Sequence, residues 1–310
     1  MNVYGSVHEL IGNTPVVELK NIEIPNNCRI FAKLEFMNPG GSVKDRLGLS
    51  LLRDAEESGQ LLPGGTIIEP TAGNTGIGLA LAAIGKGYTV KFVVPQKFSM
   101  EKQTLMRALG AEIVNTPTEL GMKGAIEKAK ELVQETPGAF SPSQFSNPAN
   151  PETYVHTLGP ELWRDLDGEI DVFVAGAGSG GTFMGTAKYL KSQNANIKTV
   201  IVEPEGSILN GGEAGSHYTE GIGMEFLPAY MDKSYFNAIH TVTDRDAFDK
   251  LRELSSKEGL LVGSSSGAAL FASLEEAKVA KPGSHIVTIF ADSSERYLSQ
   301  NVYDLLKEDE

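Results

Sequence analysis

The sequence predicts an α/β protein made of two doubly wound α/β domains, and three observations support this prediction. Short apolar, often β-branched runs alternate with amphipathic stretches along most of the chain. The apolar runs are nearly continuous, as expected for parallel strands covered on both faces, and their alternation with helices favours right-handed crossovers. Glycine, with 34 of 310 residues, makes up about 11% of the chain against a usual share of about 7%. This excess indicates many tight turns.

Seven short apolar runs predict the strands, in chain order. They are Ile30–Glu35, Thr66–Glu69, Thr89–Val94, Glu112–Asn115, Val172–Ala175, Thr199–Glu203 and His285–Phe290. Amphipathic periodicity followed by glycine or proline predicts helices in the intervening segments. The clearest are Val43–Glu57, Glu101–Leu109 and Lys123–Gln134.

Two segments interrupt this alternation. The first, Phe140–Asn150, is rich in serine, asparagine and proline, which predicts a loop at the boundary between two α/β units. The second, Glu205–Tyr235, is glycine-rich and longer than most connections without regular structure. Its length favours a functional loop.

The composition excludes several classes of protein. A formal net charge of −13 argues against a nucleic-acid binder, whose surface would carry a basic patch. A single cysteine, Cys28, excludes an internal disulfide and suits a reducing compartment. No apolar segment approaches the ~18–20 residues of a membrane span, and no secretory signal precedes the first strand. We therefore expect a soluble cytoplasmic protein that has no nucleic-acid or membrane partner.

The most informative motif is glycine-rich and lies between a predicted strand and a helix. It reads Gly176-Ala177-Gly178-Ser179-Gly180-Gly181-Thr182. Backbone N–H groups at such a helix start converge on an anion, and glycines let a phosphate approach the chain. The spacing of Gly176–Gly181 also fits a dinucleotide fingerprint, with Glu203 placed to bind a ribose. An NAD-dependent oxidoreductase is therefore an alternative.

Three further motifs precede predicted helices. Lys44 follows a Gly-Gly turn, where the helix dipole disfavours its charge; the alternative is an ordinary surface lysine. Thr71-Ala72-Gly73-Asn74-Thr75 suits a carboxylate, although a simple helix cap would also explain it. Gly263-Ser264-Ser265-Ser266-Gly267 is a third glycine-containing turn before a predicted helix, and capping of that helix by a serine is the alternative explanation for it.

Together these motifs resemble the cysteine synthase and cystathionine β-synthase family of pyridoxal-phosphate enzymes. The resemblance runs from Ile11-Gly12-Asn13-Thr14-Pro15 to Ser294-Glu295-Arg296-Tyr297-Leu298, with four motifs in the family's order. It implies fold type II, like the tryptophan synthase β subunit, with pyridoxal 5′-phosphate in the cleft between two domains. These would be a smaller, mobile domain of residues 40–150 and a larger one of residues 1–39 plus 151–310. It also implies a homodimer and no metal.

The resemblance assigns a role to each motif. Lys44 would bind the cofactor covalently and act as the catalytic base. Asn74 would bind the ring hydroxyl of the cofactor, and Ser265 would face its pyridine nitrogen. The cofactor phosphate would bind Gly178, Ser179, Gly180, Gly181 and Thr182. The substrate would bind Thr71, Gly73, Thr75, Gln144, Glu220 and Gly221.

Departures from the family pattern indicate the subtype. Ala72 replaces a serine, so one polar contact is lost. Glu220-Gly221-Ile222-Gly223 resembles the cystathionine-forming branch, although Met224 replaces its tyrosine. Glu220 would pair with the ammonium of homocysteine, or would be a solvated loop carboxylate. The implied reaction joins O-acetylserine or serine to homocysteine through an α-aminoacrylate intermediate. The close alternative is cysteine synthesis from sulfide.

Overall fold

The structure is a computed structural model that describes residues 3–96 and 98–306. Its α-helices follow one another along the chain with strands between most of them. The α-helices are α1 (Lys44–Glu57), α2 (Asn74–Ala83), α3 (Met100–Ala108), α4 (Gly121–Glu135), α5 (Ala149–His156), α6 (Leu158–Asp165), α7 (Gly181–Gln193), α8 (Asp244–Glu253) and α9 (Ser264–Val279). A short 3₁₀ helix at Ser294–Gln300 follows the last strand.

The strands form two separate sheets. They are β1 (Val16–Glu18), β2 (Arg29–Leu34), β3 (Thr66–Pro70), β4 (Thr89–Pro95), β5 (Glu112–Thr116), β6 (Ala139–Phe140), β7 (Val172–Gly176), β8 (Lys198–Pro204), β9 (Ala238–Val242) and β10 (His285–Phe290). One sheet has the order β1-β2-β10-β7-β8-β9, and the other β5-β4-β3-β6. Apart from β1, which pairs with β2 in antiparallel fashion, neighbouring strands are parallel. The predicted α/β fold is confirmed.

All seven predicted strands and the three named helices are present, with ends displaced by no more than two residues. Three strands were not predicted. β1 and β6 have only three and two residues, too few for a periodicity to emerge. β9 carries His240 and is only partly buried for most of its length, so it lacks the continuous apolar run of the inner strands. β6 and the start of α5 also shorten the predicted loop Phe140–Asn150 at both ends.

The chain divides into two compact units. One comprises Met1–Ile11 and Lys44–Asn150, and the other comprises Gly12–Val43 and Pro151–Glu310. The first contains the four-stranded sheet, where a small apolar cluster of Ile68, Val93, Ala125 and Ala129 packs α4 against β3 and β4. The second contains the six-stranded sheet and a larger core in which the inner strands pack against α9. Within the described residues, no helix is both long and apolar enough to cross a bilayer.

Helices α1 and α2 are in direct backbone contact in the first unit. A Cβ atom added at Gly48 would overlap the carbonyl group of Gly78, and one added at Gly78 would overlap the carbonyl of Lys44. Each glycine lies one helical turn after the first residue of its helix. The two helix starts are therefore held side by side, with no side chain between them.

We expect Gly48→Ala to destabilise the protein by about 1–3 kcal/mol, the usual cost of an overpacked core. In an exposed helix the same change is stabilising, because alanine has the higher helix propensity. Gly215→Ala is the control, since a Cβ there meets only an ordinary contact at 3.6 Å. Urea unfolding of both variants tests the prediction, and an unchanged or higher midpoint for Gly48→Ala would contradict it.

Candidate active site

Lys44 is the first residue of α1, and the backbone that leads to it is firmly held. Gly40 O accepts a hydrogen bond from the guanidinium of Arg296, and Val43 N donates to Ala291 O at 2.9 Å. Gly41 has a φ of +77°, and a Cβ there would collide with Arg296. The Gly-Gly turn is therefore required both by its left-handed backbone and by lack of space.

The chemistry of Lys44 follows from its surroundings. Desolvation lowers the pKa of its ammonium from 10.5 to about 8. Near neutral pH a larger fraction of this amine is therefore unprotonated than in an ordinary lysine. An unprotonated amine is what nucleophilic attack on a carbonyl carbon requires. The alternative of a solvated surface lysine does not fit this environment.

The start of α2 forms a second polar group in the same unit. Gly73 is the N-cap of α2, and Gly73 N donates to Thr71 Oγ1 at 3.4 Å. Thr75 Oγ1 donates to Gln144 Oε1 at 2.8 Å. Thr71, Thr75 and Gln144 are all buried. The structure thus brings together residues from two motifs about 70 positions apart, beside the helix start that carries Lys44.

Glu69 begins the motif that continues through Thr71 and Thr75, although its sequence indicates no role for it, and it contacts this group through Gln144. It is 1% exposed, near the end of β3. Its carboxylate accepts hydrogen bonds from Ser141 Oγ, Ser143 N and Gln144 N at 2.9–3.1 Å. Burial raises the pKa of this carboxyl from 4.5 to about 7, against the opposing effect of those hydrogen bonds. The available signal was an acidic residue in an otherwise apolar strand.

The glycine-rich loop of the second unit leads into α7. Gly180, with a φ of +85°, is the N-cap of this 13-residue helix, whose first amides lack acceptors within the helix. A Cβ at Gly178 would overlap the carbonyl oxygen of Gly221. One at Gly180 would overlap the thioether of Met231. The loop is therefore a tightly packed cradle, defined as Gly178–Thr182, with the backbone donors that a phosphate needs.

Two further predicted residues lie beside this cradle in the same unit. The buried Ser265 belongs to the first turn of α9, and its Oγ lies 3.9 Å from the position of a Cβ on Gly221. Glu220 N donates to Ser264 Oγ at 3.0 Å, and a carboxylate oxygen of Glu220 accepts from Gln300 Nε2 at 2.7 Å. Gln300 was missed because nothing in its local sequence indicates this contact.

Glu203 does not have the role that the NAD alternative gave it. This residue is fully buried at the end of β8. Its carboxylate accepts hydrogen bonds from Leu209 N, Asn210 N and Thr241 Oγ1 at 2.8–3.0 Å. It orders the following loop, so it is not available to bind a ribose. These contacts remove the ribose-binding role on which the NAD-dependent alternative depended.

The predicted residues are thus divided between the two units. Lys44, Asn74 and the residues around Thr75 belong to the first, and the cradle with Glu220, Gly221 and Ser265 belongs to the second. The cradle fits the phosphate of pyridoxal phosphate, since its glycines and the first amides of α7 offer backbone donors, and the amine of Lys44 fits the aldehyde. Two parallel-sheet units, a partly neutral lysine and a phosphate cradle define a class of α/β enzyme that uses a phosphorylated aldehyde cofactor.

Comparisons with known proteins agree with this class. Residues 7–292 match the family model described as pyridoxal-phosphate dependent enzyme. The chain belongs to that family. Its fold is therefore fold type II, its cofactor is pyridoxal phosphate, and it is a β-replacement enzyme of the cystathionine β-synthase and cysteine synthase type.

Individual relatives carry two different names. The chain is 60% identical to the O-acetylserine-dependent cystathionine β-synthase of Bacillus subtilis, over 98% of this chain and 99% of the relative. It is 52% identical to a cysteine synthase of Helicobacter pylori, over 98% and 100%. A crystal structure of an O-acetylserine-dependent cystathionine β-synthase from H. pylori is 51% identical, with a TM-score of 0.94 over 98% of this chain and 100% of that one.

The raised pKa of Glu69 predicts how stability depends on pH. Between pH 4.5 and 7 the unfolded chain releases this proton and the folded protein keeps it. The free energy of unfolding should therefore fall as pH rises through this window, by on the order of 3 kcal/mol for this group, and level off above it. Relative to wild type, Glu69→Gln should lack this decrease. Urea unfolding of both proteins at pH 5 and pH 7.5 measures the difference, and parallel pH dependences would contradict the prediction.

Proposed function

We propose that this enzyme forms cystathionine from O-acetylserine, or serine, and homocysteine. The observation that carries the proposal is the placement of Glu220. Its backbone is held by Ser264 at the start of α9, and its carboxylate by Gln300. A fixed acidic group beside Gly221 and Ser265 offers a partner for the ammonium of an amino-acid thiol, whereas sulfide carries no such group. The name of the B. subtilis relative supports the same acceptor.

The roles of the other residues follow from their chemistry. The amine of Lys44 would hold the cofactor covalently, Gly178–Thr182 would bind its phosphate, and Asn74 and Ser265 would bind its ring. Bound pyridoxal phosphate supplies an electron sink for negative charge that develops at the substrate Cα. The hydroxyl of Ser265 is neutral, so it does not hold a proton on the ring nitrogen as a carboxylate would. The ring would then withdraw electrons less strongly, which favours prompt loss of the β-substituent.

The chain itself supplies binding and proton transfer. Thr71, Gly73, Thr75 and Gln144 bind the substrate carboxylate at the start of α2, where the helix dipole favours an anion. The Lys44 amine would take the proton from Cα, which allows acetate, or the protonated hydroxyl group of serine as water, to leave Cβ. After the thiol has lost its proton to solvent and its sulfur has added to Cβ, the Lys44 ammonium would return the proton to Cα. The lowered pKa of Lys44 suits both transfers near neutral pH.

Cysteine synthesis from sulfide is the second candidate. The name of the H. pylori relative with 52% identity favours it, and it differs from the first only in the acceptor. The resemblance also supports a cytoplasmic homodimer as the working form.

We expect Lys44→Ala to lower kcat by at least 10³-fold, because Lys44 is the residue proposed both to bind the cofactor covalently and to move the Cα proton. Borohydride treatment followed by peptide mapping should fix the cofactor on Lys44 in wild type and on no peptide of the variant. Lys128→Ala, on the surface of the same unit, is the control and should remain yellow and active. Turnover of Lys44→Ala near the wild-type rate would contradict the assignment.

The choice of acceptor is tested by comparing kcat/KM for homocysteine and for sulfide with O-acetylserine as donor. Homocysteine should be preferred, and Glu220→Gln should lower kcat/KM about tenfold for homocysteine and less than twofold for sulfide. Glu225→Gln, which removes the same charge from an exposed position of the same loop, should affect neither. A strong preference of wild type for sulfide would instead establish the second candidate.

A further inference from the structure

The carboxylate of Glu69 holds a loop on which the proposed substrate site depends. β3 pairs with β6 only as far as Phe140, and the chain then leaves the sheet. Over the next four residues, Glu69 replaces the missing strand partner. Glu69 Oε2 accepts from Ser141 Oγ at 3.1 Å and from Ser143 N at 2.9 Å, and Oε1 accepts from Gln144 N at 3.1 Å.

The loop adopts a conformation that needs such an anchor. Ser143 has a φ of +52°, in the left-handed region that residues other than glycine seldom adopt. This conformation turns the consecutive amides of Ser143 and Gln144 towards the same carboxylate. Two amides that donate to one carboxyl group compensate for the strain at Ser143.

Gln144 is fixed at three points. Its N donates to Glu69, its carbonyl oxygen accepts from Asn150 Nδ2 at 2.8 Å, and its Oε1 accepts from Thr75 Oγ1 at 2.8 Å. The bond to Thr75 determines the orientation of the side-chain amide and hence the direction of its Nε2 donors. The bond to Glu69 ties this residue to β3 of the sheet.

We propose that Glu69 is a positioning residue for the substrate carboxylate, and that it acts by ordering Ser141–Gln144 so that Gln144 is held against Thr75. The proposal rests on the substrate-carboxylate site proposed above. Glu69 itself does not touch the substrate. Its effect is therefore expected on binding of the carboxylate rather than on the chemistry at Cα.

Binding of L-alanine to the holoenzyme tests this directly, because L-alanine has the ammonium and carboxylate of the donor but no leaving group. Its Kd is measured from the absorbance change of the bound cofactor. Glu69→Gln keeps the size of the side chain but replaces one acceptor oxygen with a donor NH₂ that faces an amide N–H. We expect the Kd of L-alanine to rise about tenfold, while ethylamine, which lacks the carboxylate, binds within twofold of wild type.

Glu276→Gln is the matched control. Glu276 is an equally buried carboxylate with partners in Lys198 and His240. Glu276 lies 11 residues after Ser265 in α9, which is about 16 Å along the helix axis at a rise of 1.5 Å per residue. Glu276→Gln should lower the free energy of unfolding and leave the Kd of L-alanine unchanged. Equal weakening in both variants would show a general loss of order and overturn the proposal.

A double-mutant cycle shows whether Glu69 acts through Gln144. If it does, Glu69→Gln combined with Gln144→Ala should bind L-alanine no more weakly than Gln144→Ala alone. Additive effects would overturn the positioning role and leave the carboxylate site intact. If Gln144→Ala alone binds L-alanine as wild type does, the carboxylate site and the positioning role both fail.

Ser141→Ala provides a milder change should Glu69→Gln fail to fold. It removes one of the three donors to Glu69 and leaves both backbone amides in place. It should raise the Kd of L-alanine about two- to threefold with no change for ethylamine. An unchanged Kd for L-alanine would then count against the proposal.

Discussion

Three helices of this protein begin at a glycine N-cap, and the proposed chemistry depends on that constraint. Gly73, Gly180 and Gly263 precede α2, α7 and α9. A glycine N-cap provides no side-chain acceptor, so it leaves the first amides of the helix available to a ligand. By contrast, α8 is capped in the ordinary way, with Thr243 Oγ1 accepting from Asp246 N. The glycine caps of α2 and α7 therefore suit the anions proposed to bind there.

Crowding explains only some of these glycines. A Cβ at Gly263 would overlap Asp292, and one at Gly180 would meet Met231. At Gly73 there is nothing within 4 Å of a Cβ position, and its φ of −124° is open to any residue. Packing therefore does not require glycine at that position. Open access to the amides of α2 agrees with the substrate-carboxylate site proposed there.

Local patterns predicted most of the fold and much of the candidate site, and the failures have a common cause. The inner strands and the helix starts were predictable because apolar runs and glycine turns lie within a few residues of one another. Glu69 and Gln300 were not, since each functions through partners about 70 to 80 positions away along the chain. Glu203 shows the reverse error, because its burial and its loop contacts cannot be deduced from its place after a strand. Polar burial is determined by packing across the whole unit, so a short sequence window does not reveal it.

The glycine contact between α1 and α2 has a mechanical consequence. Side chains at a helix interface can change rotamer and absorb small shifts, but two backbones in contact have no such compliance. The Lys44 carbonyl contacts Gly78, which lies about one turn after Thr75 in α2. A shift of the start of α2 therefore moves the backbone at Lys44 as well. We expect the proposed base and the proposed carboxylate site at Thr71–Thr75 to keep their relative positions for this reason.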